Sequence, residues 1–278
     1  MTPADRTFVI PSIRPTVTDV LSQLLAQQVS PADVIVVDDS TDARVTEAVS
    51  SLPVRLLHTN GAGNCAARNV GAAASATEWI VFLDDDVALG PRAVADLDQL
   101  LEGISHDQRV GAIEIRIQPT GAVVRQYWRN RLVESTRPGG FLTACLVVRS
   151  EAFYQTSGFR ARVRRGYRED TAFGLAVREA GWVTTWSDGV QVAHPIEHVG
   201  LRAFLGRALL FRHDAWFRRR HPGYLDSVSR RRTVLGIPVG RLRSKLPILS
   251  VLVSAVLAVL GRRPRRVIPA ILLASGVA

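Results

Sequence analysis

Three consecutive carboxylates, Asp84, Asp85 and Asp86, follow the apolar run WIVFL, whose composition predicts a buried strand. Like charges at this spacing repel one another, so their position at the end of a strand predicts a cation beside them. The D-x-D spacing lets Asp84 and Asp86 hold a divalent ion together with a ribose hydroxyl or a metal-bound water. We predict Mg²⁺ or Mn²⁺ there, bound also to phosphate oxygens, with a solvated acidic turn as the alternative.

A second acidic turn, Asp38 and Asp39 in VVDDSTD, follows an earlier apolar run. These carboxylates can accept hydrogen bonds from a nucleobase N–H or a ribose hydroxyl. A turn that caps the next helix through Ser40 or Asp42 explains the same residues. The two roles are compatible, so we predict that both acids contribute to nucleotide binding.

The segment from Gly61 to Ala66 matches G-x-G-x-x-A and supports an alternative, an NAD(P)-dependent oxidoreductase. Its glycines follow the third predicted strand rather than the first, and such an enzyme has no evident use for three aspartates. We favour Gly61 as a site of close backbone approach to a phosphate or base. Arg68 is the predicted charged partner of nucleotide oxygens. An exposed helix arginine is the alternative for Arg68.

A further acidic pair, Glu169 and Asp170, precedes a segment with helical periodicity. An acid in the first turn of a helix is commonly a cap or a partner of the helix dipole. The alternative is a general base, because a carboxylate near an acceptor hydroxyl can remove its proton as the oxygen attacks a sugar carbon.

Short β-branched runs alternate with helical periodicity, which predicts an α/β fold with a mainly parallel, Rossmann-like sheet flanked by helices. Strands are predicted at 7–10, 33–37, 54–57, 79–83, 111–117, 142–148, 184–186 and 191–194, and helices at 17–28, 44–51, 64–74, 91–102 and 171–180. Ligands bind beyond the carboxyl ends of such strands. This rule gathers at one rim the residues after the first four strands, namely Pro11, Ser12, Asp38, Asp39, Gly61, Asp84, Asp85 and Asp86.

The formal net charge of +10 is unevenly distributed along the 278 residues. Residues 1–201 carry 19 basic and 23 acidic side chains, whereas residues 202–278 carry 16 basic and 2 acidic ones. We therefore predict a catalytic domain at 1–200 and a basic helical tail at 201–278. The chain begins without the pattern of a secretory signal, and its two cysteines suit a reducing cytoplasm.

The motifs VVDDSTD, GNCAARNVGAA, FLDDDVAL, LVVRSEAFYQTSGF and YREDTAFGLAVREAGW, in this order, resemble the family 2 glycosyltransferases, a group of inverting sugar transferases with the GT-A fold. The resemblance covers about Phe8 to His198. It implies a nucleotide-diphosphate-sugar donor, a divalent metal at the D-x-D motif and a single displacement with inversion. No Q-x-x-R-W follows the Glu-Asp pair, so transfer of one sugar per binding event is expected.

The resemblance also implies individual roles. Asp39 resembles the acid that binds the base, and Asp84 or Asp85 resembles the contact to ribose and diphosphate. Asp86 resembles the principal metal ligand, and Asp170 resembles the catalytic base. His194 lies where some members supply a further contact to the metal or diphosphate, although a histidine at a strand end is often structural.

The tail combines an apolar helical stripe from Leu201 to Phe211 with arginines, a composition suited to an anionic membrane surface. A helix that docks on the catalytic domain is the alternative. The sixteen uncharged residues 246–261 would reach only about 24 Å as a helix, short of the roughly 30 Å hydrocarbon core. Shallow insertion at the cytoplasmic face is therefore predicted.

The hydroxyl acceptor is then expected to be a lipid-linked or cell-envelope saccharide, with a soluble metabolite as the alternative. The arginine runs also raise the alternative of a nucleic-acid-binding protein. No zinc, recognition-helix or aromatic RNA-binding motif accompanies them, so lipid is favoured and no nucleic-acid partner is predicted.

Overall fold

The computed structural model describes residues 4–125, 129–160, 168–210, 217, 219–221, 233–234 and 237–238. Its strands are β1 (Arg6–Ser12), β2 (Val34–Asp38), β3 (Arg55–His58), β4 (Trp79–Leu83), β5 (Ala88–Leu89), β6 (Val110–Thr120), β7 (Asn130–Arg131), β8 (Cys145–Arg149), β9 (Val183–Pro195), β10 (Glu197–His198), β11 (Thr233–Val234) and β12 (Ile237–Pro238). Its α-helices are α1 (Val17–Ala26), α2 (Arg44–Val49), α3 (Asn64–Ala74), α4 (Ala93–Ile104), α5 (Ser150–Gln155), α6 (Glu169–Glu179) and α7 (Leu201–Ala208), and Pro31–Asp33 forms a 3₁₀ turn.

Eight strands form one mixed sheet in the order β3-β2-β1-β4-β8-β6-β9-β5. The pairings of β1 with β2, β2 with β3, β1 with β4, and β6 with β9 are parallel, whereas β8 runs antiparallel to both its neighbours and β5 antiparallel to β9. Six of the eight strands thus run in one direction. The predicted α/β class with a mainly parallel, helix-flanked sheet is confirmed.

The central strand β4 shows how the sequence builds two cores, one on each face of the sheet. Trp79, Val81 and Leu83 pack on one face in a cluster that includes α1 and α4. Ile80 and Phe82 pack on the other, in a cluster that includes α3, α5 and α6. Full burial of a large apolar side chain contributes about 1.5–3 kcal/mol. An uninterrupted apolar run is therefore stable in this position, and it brings the aspartates that follow it to the sheet edge.

Several predicted boundaries are wrong. The predicted strands at 184–186 and 191–194 are one strand, β9, which continues past a register shift in its pairing with β6. Pro11 and Ser12 are the last residues of β1 rather than the start of the following loop. Glu169 begins α6 instead of preceding it. The short elements β5 and α5 were not predicted, since two and six residues are too few to show a period.

The chain divides into two compact units, Met1–Phe204 and Leu205–Ala278. The predicted helix after residue 200 begins at Leu201 as α7. The apolar run 246–261 lies outside the described residues. Among the residues that the structure describes, no helix is long and apolar enough to cross a membrane.

The contact of α3 with β1 tests the packing that carries the site. A Cβ on Gly71 of α3 would lie 2.3 Å from Cγ1 of Val9 and 3.1 Å from Cγ2 of Val37. We expect Gly71→Ala to lower the free energy of unfolding by about 1–3 kcal/mol because it overpacks this contact. Urea denaturation measures the loss.

Gly103 in α4 is the matched control, because a Cβ there meets nothing within 4 Å among the described residues. Gly103→Ala is expected to leave stability unchanged or to raise it by up to about 1 kcal/mol through helix propensity. Equal effects of the two substitutions would contradict the close packing of α3 on β1.

Candidate active site

Asp84, Asp86 and His194 form a group that could hold a metal ion. Each offers one ligand atom, and these atoms lie within 4.8 Å of one another. The aspartates follow β4, while His194 lies near the end of β9, where it pairs in register with Pro119 of β6. Two carboxylates and one imidazole are a ligand set that suits Mn²⁺ and other divalent first-row metals.

The hydrogen bonds of His194 fix which ring nitrogen faces the acids. Nδ1 lies 2.9 Å from the carbonyl oxygen of Pro195, which can only accept, so Nδ1 carries the hydrogen. Nε2 lies 3.2 Å from Oδ1 of Asp86 and is the atom available to a metal. This use of the second nitrogen to orient the ring is typical of metal-binding histidines.

The charges around Asp86 shift the pKa values of the pair. Burial alone would raise the pKa of Asp86, but His194 and Arg14 outweigh it and lower that pKa. Burial would lower the pKa of His194, but Asp86 and the Pro195 carbonyl outweigh it and raise that pKa. Oδ1 of Asp86 is buried, and its partner among the described residues is the ion pair with Nε2 of His194. A divalent ion that binds both atoms would replace this ion pair.

Asp85 faces a different set of groups. It accepts a hydrogen bond of 2.6 Å from Oγ of Ser12 and bonds from Nε and Nη2 of Arg14. Arg14 also donates to Oδ2 of Asp86 over 2.9 Å. Ser12 thus lies at the predicted rim, where it orients Asp85. Pro11 is buried within β1, in register with Val37.

Arg68 links the two acidic motifs. It is only 3% exposed, so the alternative of an exposed helix arginine is wrong. Its Nη2 lies 3.0 Å from Oδ1 of Asp84, and its Nη1 lies 3.9 Å from Oδ1 of Asp170. The ring of Phe159 lies 5.6 Å from its guanidinium carbon. Asp84 and Asp170, 86 positions apart in sequence, therefore share one buried cation.

Asp170 is the second residue of α6, next to Glu169. Burial raises its pKa to about 7, with Arg68 opposing the rise and Glu169 and Asp84 adding to it. Oδ2 accepts a bond of 3.4 Å from the backbone N–H of Thr143, and Oδ1 is a buried oxygen with no hydrogen bond to a described residue. A carboxyl group with this pKa exchanges its proton readily near neutral pH, as a general base must.

The loop that contacts Asp170 is held by Glu114 of β6, which is 2% exposed. Glu114 accepts hydrogen bonds from the N–H groups of Gly139 and Phe141, at 2.7–3.0 Å. The same loop accepts a bond of 3.1 Å from the Thr171 hydroxyl at the carbonyl of Gly140. The start of α6, and with it Asp170, is thus tied to the sheet.

Asp38 and Asp39 separate into two environments. Asp38 accepts hydrogen bonds from Ser40 and Thr46, so its carboxylate faces α2. Asp39 accepts bonds from Thr59 at 2.7 Å and from the N–H of Gly63 at 3.0 and 3.1 Å.

The glycines of the predicted phosphate loop differ in their contacts. Gly61 and Gly63 both have positive φ, of 78° and 98°. Gly63 supplies the N–H that meets Asp39, while Gly61 is exposed and lies beside Thr41. The loop follows β3, as the sequence indicates.

The sequence singled out Gly63 with Gly61 as a site of close backbone approach, but it did not identify Arg14, Glu114 or Thr143. Glu114 carried a signal, since an acid between Ile113 and Ile115 in an apolar strand is buried and must be satisfied. Arg14 carried none, because its partners lie more than seventy positions away.

Comparison with known proteins places this geometry in a family. The model of glycosyl transferase family 2 matches residues 9–168, more than half of the chain. An N-acetylglucosaminyl-diphospho-decaprenol L-rhamnosyltransferase of Mycobacterium tuberculosis is 31% identical, over 60% of this chain and 68% of the relative.

Solved structures share the fold. The mannosyltransferase PcManGT from Pyrobaculum calidifontis, in complex with GDP-Man and Mn²⁺, has a TM-score of 0.57 and 20% identity, over 78% of this chain and 65% of that one. GalNAc-T7 with UDP, GalNAc and Mn²⁺ has a TM-score of 0.56 and 13% identity, over 72% and 45%. The chain spans less than two thirds of each solved structure. Their likeness establishes the GT-A fold.

The family is one of sugar transferases, which decides against the oxidoreductase alternative for Gly61 to Ala66. The chain belongs to glycosyl transferase family 2, and it is a glycosyltransferase.

Proposed function

We propose that this enzyme transfers one sugar from a nucleotide-diphosphate-sugar to an acceptor hydroxyl, with inversion and with the help of a divalent metal. The observation that carries the proposal is the bridge made by Arg68 between Asp84 and Asp170. This bridge brings a metal-ligating group and a carboxylate of near-neutral pKa to one rim of the sheet. Leaving-group stabilisation and deprotonation of the acceptor need these two functions side by side.

Asp170 is the proposed catalytic base. It takes the proton of the acceptor hydroxyl while that oxygen bonds to the anomeric carbon and the bond to the diphosphate breaks. Its Oδ1, which accepts no hydrogen bond from a described residue, can receive the proton, while the Thr143 N–H and the ion pair with Arg68 hold the carboxylate in position. One displacement by one nucleophile inverts the anomeric centre. Glu169 raises the pKa of Asp170 through its negative charge.

Asp84, Asp86 and His194 are the proposed metal ligands. Oδ1 of Asp86 and Nε2 of His194 face each other over 3.2 Å, and with Asp84 they fit a divalent ion such as Mn²⁺ or Mg²⁺. When bound, the ion supplies charge stabilisation for the leaving diphosphate. Asp86 and His194 hold each other in place without it.

Asp39 is the proposed contact for the nucleobase, since its carboxylate lies at the end of β2 beside the glycine turn. This part of the rim, proposed to bind the donor, also includes Pro11, Ser12, Asp38 and Gly61. Asp84 and Asp85 are proposed to lie near the ribose and diphosphate.

The acceptor is proposed to be a lipid-linked saccharide. The relative from Mycobacterium tuberculosis is named for a diphospho-decaprenol substrate, and the last 77 residues of this chain combine arginines with long apolar runs. A basic tail of this kind favours an anionic lipid surface, so we propose peripheral or shallow attachment to the cytoplasmic face of the membrane.

Metal dependence and donor class are tested together. We expect the purified chain, freed of metal by a chelator, to lose transfer from a panel of UDP-, GDP- and dTDP-sugars to a polyprenyl-diphosphate acceptor. Mn²⁺ or Mg²⁺ should restore it. Full activity in the chelator with any donor would contradict the metal role, and absence of transfer or donor hydrolysis from the whole panel would contradict the donor class.

The role of Asp170 is tested by Asp170→Asn. Because the amide cannot accept the proton, kcat should fall by at least about a hundredfold, while affinity for the nucleoside diphosphate changes little. Steady-state kinetics and calorimetric titration measure the two effects. Glu151→Gln is the control, since Glu151 also lies in the first turn of a helix and is exposed. Near-normal turnover by Asp170→Asn would refute the assignment.

The influence of Arg68 on Asp170 is visible in the pH dependence. The base must be ionised, so kcat of the wild type should fall as pH drops through about 7. Arg68 holds this pKa down, so Arg68→Gln should move the inflection upward by about one unit or more. Arg68→Lys retains the charge and should move it less. An unshifted profile for a folded Arg68→Gln protein would exclude the electrostatic link.

A further inference from the structure

Arg14 pairs with the two aspartates after β4 that Arg68 does not contact. Its Nε and Nη2 bond to Asp85, and Nη2 also donates to Asp86 over 2.9 Å. Arg68 pairs with Asp84. Two arginines therefore compensate three consecutive carboxylates.

Arg14 is much more exposed than Arg68, since their side chains are 46% and 4% exposed. The side chains of Asp85 and Asp86 are only 7% and 13% exposed. Arg14 thus covers the acids from the solvent side. Its Nη1 makes no hydrogen bond to any residue in the described part of the chain, so the guanidinium keeps donors for an incoming anion.

The two carboxylates that Arg14 contacts differ in their other partners. Asp85 does not belong to the metal-ligating group, and the Ser12 hydroxyl bonds to it over 2.6 Å, so this carboxylate is a fixed anchor. Asp86 does belong to that group. A metal held with His194 would use Oδ1 of Asp86, whereas the guanidinium holds Oδ2. The two cations would therefore share one carboxylate and repel each other, while Asp85 keeps Arg14 in place.

We propose that Arg14 is a tethered cation that binds the donor diphosphate. Without metal, Arg14 satisfies Asp86. A metal at Asp86 would draw charge from its carboxylate and weaken the bond from Nη2 to Oδ2, so Nη1 and Nη2 would be available to the phosphate oxygens of the donor. Guanidinium groups suit phosphate through paired, charge-assisted hydrogen bonds. This inference rests on the proposed metal-dependent transfer and adds a donor-binding residue to it.

If Arg14 binds the diphosphate, its removal should change the affinities for metal and for diphosphate in opposite directions. A purely structural role would not produce this pattern. Removing it should strengthen metal binding in the absence of nucleotide, since a positive charge beside Asp86 is lost. Removing it should weaken nucleoside diphosphate binding in the presence of metal, since a phosphate donor is lost.

The experiment measures two dissociation constants for the full chain. Mn²⁺ is titrated without nucleotide and followed by electron paramagnetic resonance. UDP, GDP or dTDP, whichever the wild type binds, is titrated at saturating Mn²⁺ by calorimetry. For Arg14→Ala we expect Mn²⁺ affinity to rise by up to about fivefold, as for loss of a partly exposed ion pair. We expect nucleoside diphosphate affinity to fall by about tenfold.

Two further variants complete the design. Arg14→Lys retains charge without the paired geometry, so it should leave Mn²⁺ affinity near the wild-type value and weaken the nucleotide by less than Arg14→Ala. Arg109→Ala removes an exposed arginine paired with Asp107 just before β6 and should change neither constant.

The outcomes separate this inference from the proposed function. Opposite shifts in Arg14→Ala support the tethered cation. If the wild type binds Mn²⁺ and either constant is unchanged in Arg14→Ala, the inference is overturned while the metal-dependent function stands. If the wild type binds neither Mn²⁺ nor Mg²⁺, both are overturned.

Discussion

The compensation of three adjacent carboxylates at the end of a buried strand is the constraint on which the structure of the site depends. Isolated buried charges are costly, so each aspartate after β4 needs a partner. Arg68 reaches Asp84 from α3, Arg14 reaches Asp85 from the loop after β1, and His194 reaches Asp86 from β9. The partners come from three separate parts of the fold. The charge balance of one turn therefore depends on three distant features: the packing of α3, the path of the loop after β1 and the position of β9 in the sheet.

The same electrostatics connects the proposed metal ligands to the proposed base. Arg68 is shared by Asp84 and Asp170, so the charge on one carboxylate influences the proton affinity of the other. Glu114 acts from a different direction, since it holds the backbone of the loop that contacts Asp170. Arg68 thus lowers the pKa of the proposed base, while Glu114 fixes the position of the loop that contacts it.

Much of the fold could be predicted because its signals are local. The strand Trp79–Leu83 and the helix Asn64–Ala74 have the predicted boundaries, since an apolar run and a helical period are visible in consecutive residues. The positions of the aspartates also followed from one rule about parallel strands. The partners could not be predicted in this way. Arg14 is recognisable only when distant segments meet, and Glu114 shows in the sequence as a buried acid but not as the partner of Gly139 and Phe141. The union of two predicted strands in β9 likewise depends on its pairing with β6.

The placement of His194 has a consequence for how the protein acquires its site. The first four parallel strands are formed by the opening third of the chain, whereas His194 follows Asp86 by more than one hundred residues. Between β4 and β9 in the sheet lie β8 and β6, so the proposed ligand group is complete only after β9 has joined the sheet. Contacts this distant in sequence carry a larger loop-closure entropy cost than local ones. An ion bound by both Asp86 and His194 would stabilise the folded sheet, because it would bind the native state and not the unfolded chain. The nascent chain would have no such site until β9 had been synthesised.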